Sequence, residues 1–101
     1  MIKLFISQPM KGKTDEEILS AREEAIASAK AKIADGEEVE VIDSFFQDAP
    51  ADARRPLWFL GKSLELLSTA DMAYFAKGWQ DARGCRIEHT CAIEYGIEVV
   101  E

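Results

Sequence analysis

Residues 72–76 read MAYFA, residues 77–83 read KGWQDAR, and residues 84–95 read GCRIEHTCAIEY. The first segment is a continuous apolar run, the pattern of a strand covered on both faces. Gly78 opens a connection that extends to about Arg83. The third segment reads as a helix from about Gly84 to Tyr95, with Cys91, Ala92 and Tyr95 in its core-facing half. A buried strand that turns through one polar loop into a helix is half of a strand–helix–strand unit.

The rest of the chain repeats that alternation. Residues 2–6, IKLFI, form a strand, and residues 7–13, SQPMKGK, form a loop. Thr14 opens a helix, with Glu17 three residues on as a capping box. Ile18, Leu19, Ala25, Ile26, Ala29 and Ile33 recur at helical spacing, and Gly36 ends the run. Residues 39–42, VEVI, make a second strand. A longer loop over residues 43–55 carries Phe45, Phe46 and Pro50. Pro56 suits the first position of a second helix, with Leu57, Leu60, Leu64 and Leu67 on its buried side. Residues 97–100, IEVV, make the last strand.

Strands alternating with helices predict a parallel sheet built by right-handed crossovers. Glu40 and Glu98 interrupt the second and fourth strands, which suits sheet edges. The predicted fold is therefore α/β, a flavodoxin-like parallel sheet of order 2-1-3-4 with three helices. Residues 1–101 read as a single domain. In such a sheet ligands bind beyond the carboxyl ends of the strands, where the order reverses between strands one and three. The loops SQPMKGK and KGWQDAR leave those two ends.

Composition narrows the partners. The chain has 101 residues, 48% of them hydrophobic, and a net charge of −7. An acidic domain repels a phosphate backbone, so nucleic-acid polymers are not expected partners. No apolar run approaches membrane-spanning length, and the polar-interrupted N-terminus does not read as a signal peptide. Cys85 and Cys91 lie six apart in one predicted helix and point to different sides, against a disulfide between them. The expectation is a reduced, cytoplasmic protein.

The two loops carry the candidate chemistry. Glu88 lies about one turn into the third helix, near the positive end of the helix dipole, a position that favours the ionised carboxylate. Retaining glycosyl transfer needs such a nucleophile, with an acid about 5 Å away for the leaving group. Asp81, in the preceding loop, is the candidate partner acid. The plain alternative is that Glu88 complements the dipole and Asp81 is an ordinary loop residue. Asp71, at the start of strand three, reads as structural. Asp43, after strand two, is a candidate for the rim. Arg83 and Arg86 flank Gly84 at the helix start, and arginines beside free backbone N–H groups suit a 5′-phosphate. Ser7 and Gln8 offer hydrogen bonds, Met10 a packing surface and Trp79 a stacking face. Cys85 and His89 share a helix face, but two ligands are too few for a metal site. No metal and no cofactor is expected.

Three stretches resemble the nucleoside 2-deoxyribosyltransferase superfamily, especially its short bacterial and phage members. They are LFISQPMKG (residues 4–12), STADMAYFAKGW (68–79) and ARGCRIEHTCAIEYG (82–96), so the resemblance spans nearly the whole chain. Its most specific part is Glu88 followed by Ala92 and Gly96. The resemblance implies that Glu88 attacks C1′ of a nucleoside, releases the base, and passes the sugar to another base or to water. It implies that Ser7, Gln8, Pro9 and Met10 contact sugar or base, and that a neighbouring subunit completes the site in a dimer or larger homo-oligomer. The sequence departs from the pattern in three places. Gln8 stands where glycine is typical. Asp81 is one residue farther from Glu88 than expected. The segment LGKSLELL (60–67) offers Ser63 where the transferases carry an aspartate.

Three readings follow. The first is an N-glycosyl enzyme, transferase or hydrolase, acting on a nucleoside or nucleoside 5′-monophosphate. The second is a non-catalytic nucleotide-binding or sensor module, favoured by the missing aspartate. A third, an interaction protein, rests on Phe45, Phe46, Trp58 and Phe59 as an oligomer surface.

Overall fold

The computed structural model describes residues 1–33, 36–43 and 49–101. In chain order the elements are β1 (Ile2–Ser7), α1 (Asp15–Ala31), β2 (Val39–Val41), α2 (Arg55–Leu67), β3 (Met72–Phe75), a 3-10 turn (Trp79–Asp81), α3 (Arg83–Glu94) and β4 (Glu98–Val100). All strand pairs are parallel, and the sheet runs β2-β1-β3-β4. The expected α/β fold and strand order are both present. Glu40 and Glu98 stand exposed on the two edge strands. The paired phenylalanines of the long loop, Phe45 and Phe46, lie outside the described residues.

The alternation of side chains along β1 divides the core in two. Leu4 and Ile6 pack with Ala25 and Ala29 of α1 and with Met72 and Ala76. Phe5 points the other way and packs with Leu67 of α2, Ala73 and Phe75 of β3, and Ala92 of α3. The helices therefore cover opposite faces, α1 on one and α2 with α3 on the other. β1 and β3 are sealed on both sides. The register continues to Ser7 opposite Phe75, so β1 and β3 end together.

Local signals explain the element ends. Thr14 Oγ1 accepts from the Glu17 amide at 3.1 Å while Glu17 Oε1 accepts from the Thr14 amide at 3.1 Å, the expected capping box. α2 starts one residue before Pro56, which needs no N–H there. α3 ends at Glu94, Gly96 just beyond it has a φ of +75° that suits a residue without a Cβ, and the Ile97 amide turns back to the Ala92 carbonyl at 2.9 Å. Asp71 is structural as read: its Oδ2 accepts from the Lys3 amide at 2.9 Å, tying the starts of β1 and β3.

Three core expectations are corrected. Leu19 is 55% exposed, because the buried stripe of α1 runs through Ile18, Ala25 and Ala29 and position 19 turns off it. Leu57 is 63% exposed, because packing of α2 deepens along the helix, from half-buried Leu60 and Leu64 to buried Leu67. Tyr95 is 84% exposed. The inner stripe of α3 passes through Cys85, Glu88 and Ala92, but the helix ends at Glu94 before the stripe reaches Tyr95. Tyr95 instead walls a groove of about 350 Å³ shared with Leu64, Leu67, Ser68, Cys91 and Ile97.

Candidate active site

Ser7 is the last residue of β1 and continues the face of Phe5, toward α3. Its hydroxyl donates to Glu88 Oε1 at 2.6 Å, a length typical of a hydroxyl on a carboxylate. Ser63, from α2, stands near the same carboxyl group and favours its charged form. Cys85, one turn before Glu88 on α3, is buried beside the Ser7 hydroxyl. Three elements thus bring Ser7, Ser63, Cys85 and Glu88 together at the carboxyl ends of β1 and β3.

Burial sets the electrostatics. Glu88 is only 7% exposed. Desolvation pushes its carboxyl up from the ordinary 4.5 to about 6, against the opposing pull of the Ser7 and Ser63 hydroxyls. Burial therefore works against the preference for the ionised form expected from the helix dipole. Glu88 is the sixth residue of α3, and the dipole effect fades within the first turn. Burial also raises the Cys85 thiol, the Ser7 hydroxyl opposes that rise, and the Glu88 charge adds to it. A carboxyl at about 6 is still mostly ionised at neutral pH, by roughly tenfold, and holds a proton below that. It can act as a nucleophile or exchange a proton with a ligand.

The remaining predicted residues divide into groups. Gln8 continues the Leu4–Ile6 face, is 6% exposed, and donates through Nε2 to the Ile18 carbonyl at 2.9 Å. Pro9 lies beside Gly78, where an added Cβ would stand 3.7 Å from Pro9 Cγ. Gly78 adopts φ +88°, a conformation that favours a residue without a Cβ, at the junction of the two loops. Met10 is exposed, and its carbonyl accepts from the Lys13 amide at 3.2 Å.

Trp79 does not offer two free faces. His89 stacks on one, with ring centroids 4.1 Å apart and planes 11° apart, and Phe75 meets both rings. Trp79 Nε1 donates to Glu101 Oε1 at 2.9 Å. Asp81 is exposed in the 3-10 turn, and the side-chain hydrogen bond described for Glu88 comes from Ser7. Asp43 is exposed after β2. Arg83 is exposed at the first turn of α3. Arg86 is exposed too, with its Nη1 donating to the Gln80 carbonyl at 2.9 Å. An added Cβ at Gly84 would meet nothing within 4 Å, so space stands open at this helix start, which has no side-chain cap.

Ser63 and Cys85 are the partners that sequence reasoning did not select. A signal existed for each. Ser63 interrupts the Leu60–Leu64–Leu67 stripe of α2, and Cys85 precedes Glu88 by three on the inner stripe of α3. A polar group on an apolar stripe must find a partner when buried.

The chain belongs to the family described as "Domain of unknown function (DUF4406)", whose model matches residues 2–101. No curated protein and no solved structure matches it.

Proposed function

We propose that this DUF4406 protein cleaves the N-glycosyl bond of a nucleoside or nucleoside 5′-monophosphate, with Glu88 as nucleophile. The observation that carries the reading is the buried Glu88 carboxylate, held on Ser7 at the sheet's reversal point. The site in an open parallel sheet is expected there. A Glu88 oxygen attacks C1′ as the C1′–N bond breaks, and the bond's electron pair leaves with the base. Asp81, at the rim, protonates the departing nitrogen. Water, or a second base, then attacks C1′ of the glycosyl ester. The ester's C1′–O bond breaks, its electrons return to Glu88, and the proton of the attacking group passes to solvent or to Asp81. Nothing is oxidised or reduced, so the sequence of steps needs no redox cofactor. The exposed Arg83 and the uncapped start of α3 suit a 5′-phosphate. Arg86, in this reading, orders the loop through Gln80.

The test is chromatographic. Nucleosides and 5′-monophosphates, ribo and deoxy, are incubated with the protein, with and without a second base. Free base should appear with the natural chain and not with Glu88→Gln. Equal release from both proteins would remove Glu88 as nucleophile.

A specific observation favours the second reading, a binding or sensor module. The Glu88 carboxyl is nearly closed off and already engages the Ser7 hydroxyl. Attack on a sugar requires that it be uncovered. Saturable nucleotide binding with no product over long incubation would select this reading. In either case we place the protein in the cytoplasm as a dimer or larger homo-oligomer. Exposed Leu57, beside the T-shaped Trp58–Phe59 pair, supports an oligomer contact. A monomer by light scattering at high concentration would refute the assembly.

A further inference from the structure

Gln8 holds a buried polar atom that the fold does not use. Its side chain is 6% exposed, and its Nε2 donates to the Ile18 carbonyl at 2.9 Å. That bond fixes the amide, because the flipped arrangement would set two oxygens against each other. Oε1 is therefore the remaining acceptor, and it has no hydrogen-bond partner among the described residues. A buried acceptor left unmade costs free energy, and native folds rarely tolerate one without a use.

The location supplies the use. Gln8 follows Ser7 directly at the carboxyl end of β1. Ser7 turns toward Glu88 on the α3 side, and Gln8 turns toward Ile18 on the α1 side. The two residues flank the reversal point from opposite faces of the sheet. A ligand seated there has the Glu88 group on one side and, on the other, a covered carbonyl oxygen that it reaches only by displacing the atoms packed over it.

We infer that Gln8 Oε1 selects ligands by a hydrogen-bond donor, an N–H or O–H group, and discriminates against a carbonyl or phosphate oxygen at that point. This deepens the proposed function and rests on its location of the ligand at the β1–β3 edge. The donor is an exocyclic amine of the base or a hydroxyl of the sugar. An acceptor-only oxygen leaves any 5′-phosphate to the other side of the crevice, where Arg83 stands. Because a site built around a hydrogen bond rejects the analogue that lacks it, removal of one donor has a large effect on binding.

The experiment is a donor-deletion series read by calorimetry on Glu88→Gln protein, which holds nucleosides without turnover. Adenosine is compared with purine riboside, which lacks the amine, and with 2′-, 3′- and 5′-deoxyadenosine, each lacking one hydroxyl. Cytidine is compared with its analogue lacking the 4-amine. Deleting one donor should weaken binding on the order of tenfold, the worth of one hydrogen bond. The amine arm and the hydroxyl arms identify which donor it is. In Glu88→Gln protein that also carries Gln8→Leu, the same deletion should cost less than about twofold, within the noise of uniform binding.

Affinities insensitive to every deletion overturn the inference without any Gln8 variant, so a poorly folded Gln8→Leu protein does not protect it. A preference that survives Gln8→Leu in folded protein overturns it as well. Base release by the natural chain, measured on the same compounds, separates the two claims. Release with no donor preference in binding refutes the role of Gln8 alone. Donor-selective binding with no release refutes glycosyl transfer and leaves Gln8 standing. Binding of none of the compounds refutes both.

Discussion

Glu88→Gln should make the protein more stable at neutral pH while removing its proposed chemistry. The carboxyl is raised from 4.5 to about 6 in the fold. A carboxyl raised in the folded state binds its proton more tightly there than in the unfolded chain. Protonation therefore favours folding. The benefit is complete below pH 4.5 and is lost as pH rises through about 6. Above that, the ionised group costs about 2 kcal/mol, the interval between the two values at 1.36 kcal/mol each. Glutamine has nearly the same shape, accepts from Ser7 through Oε1, and never ionises. The variant should gain up to about 2 kcal/mol at pH 7, which raises Tm by on the order of 10 °C in a domain of this size. The gain should shrink to a few tenths of a kcal/mol near pH 4.5, by the same linkage. Urea unfolding of both proteins at pH 4.5, 6 and 7.5 measures it. A variant no more stable at pH 7.5, or a gain that does not grow with pH, would refute the claim that burial dominates at Glu88.

Three further outcomes are expected. Ser7→Ala removes a hydroxyl that favours the charged carboxylate, so the Glu88 value should rise above about 6 and the acid limb of base release should move to higher pH; a carbon-13 titration of the carboxyl that stays put or falls would contradict this. Thr14→Ala removes Oγ1, the acceptor for the Glu17 amide, while the backbone amide of residue 14 can still donate to Glu17 Oε1, and should cost about 1 kcal/mol in urea unfolding, with the m-value unchanged. Ala92→Leu crowds the fully buried contact of α3 with β1 and β3 and should cost about 1–3 kcal/mol; a neutral result would show unfilled space beneath α3.

The fold was legible in the sequence because each strand and helix carries its own punctuation. Thr14 with Glu17, Pro56, Gly78 and Gly96 mark ends by local chemistry, and local chemistry is what a sequence records. The errors fall where a side chain's fate depends on where a helix stops relative to the sheet. Leu57 and Tyr95 satisfy helical spacing as well as their buried neighbours do, yet both lie at helix ends and face outward. Period fixes a direction around the helix axis. It does not fix whether anything lies in that direction.

The site shows the same limit in a form that bears on mechanism. Position along α3 singles out Glu88, and position also suggests an ionised group favoured by the dipole. The neighbours reverse that suggestion. Ser7 is 81 residues away in the chain, and Ser63 comes from another helix. Their hydroxyls pull the value down, yet the loss of water outweighs them, and the carboxyl settles at about 6. Burial, opposed by the buried Ser7 hydroxyl and the half-buried Ser63 hydroxyl, leaves Glu88 poised between its charged and neutral forms, where one hydrogen bond more or less from a ligand moves the balance. An approaching sugar that displaces Ser63 would remove a stabilising donor and return a more basic, more nucleophilic oxygen. Ser63→Ala separates this from simple positioning. It should raise the pH at which the acid limb falls while leaving base release on the alkaline plateau within about threefold, a loss under 1 kcal/mol. A plateau that collapses with no change in the limb would mean that Ser63 holds the carboxyl in place and does not tune it.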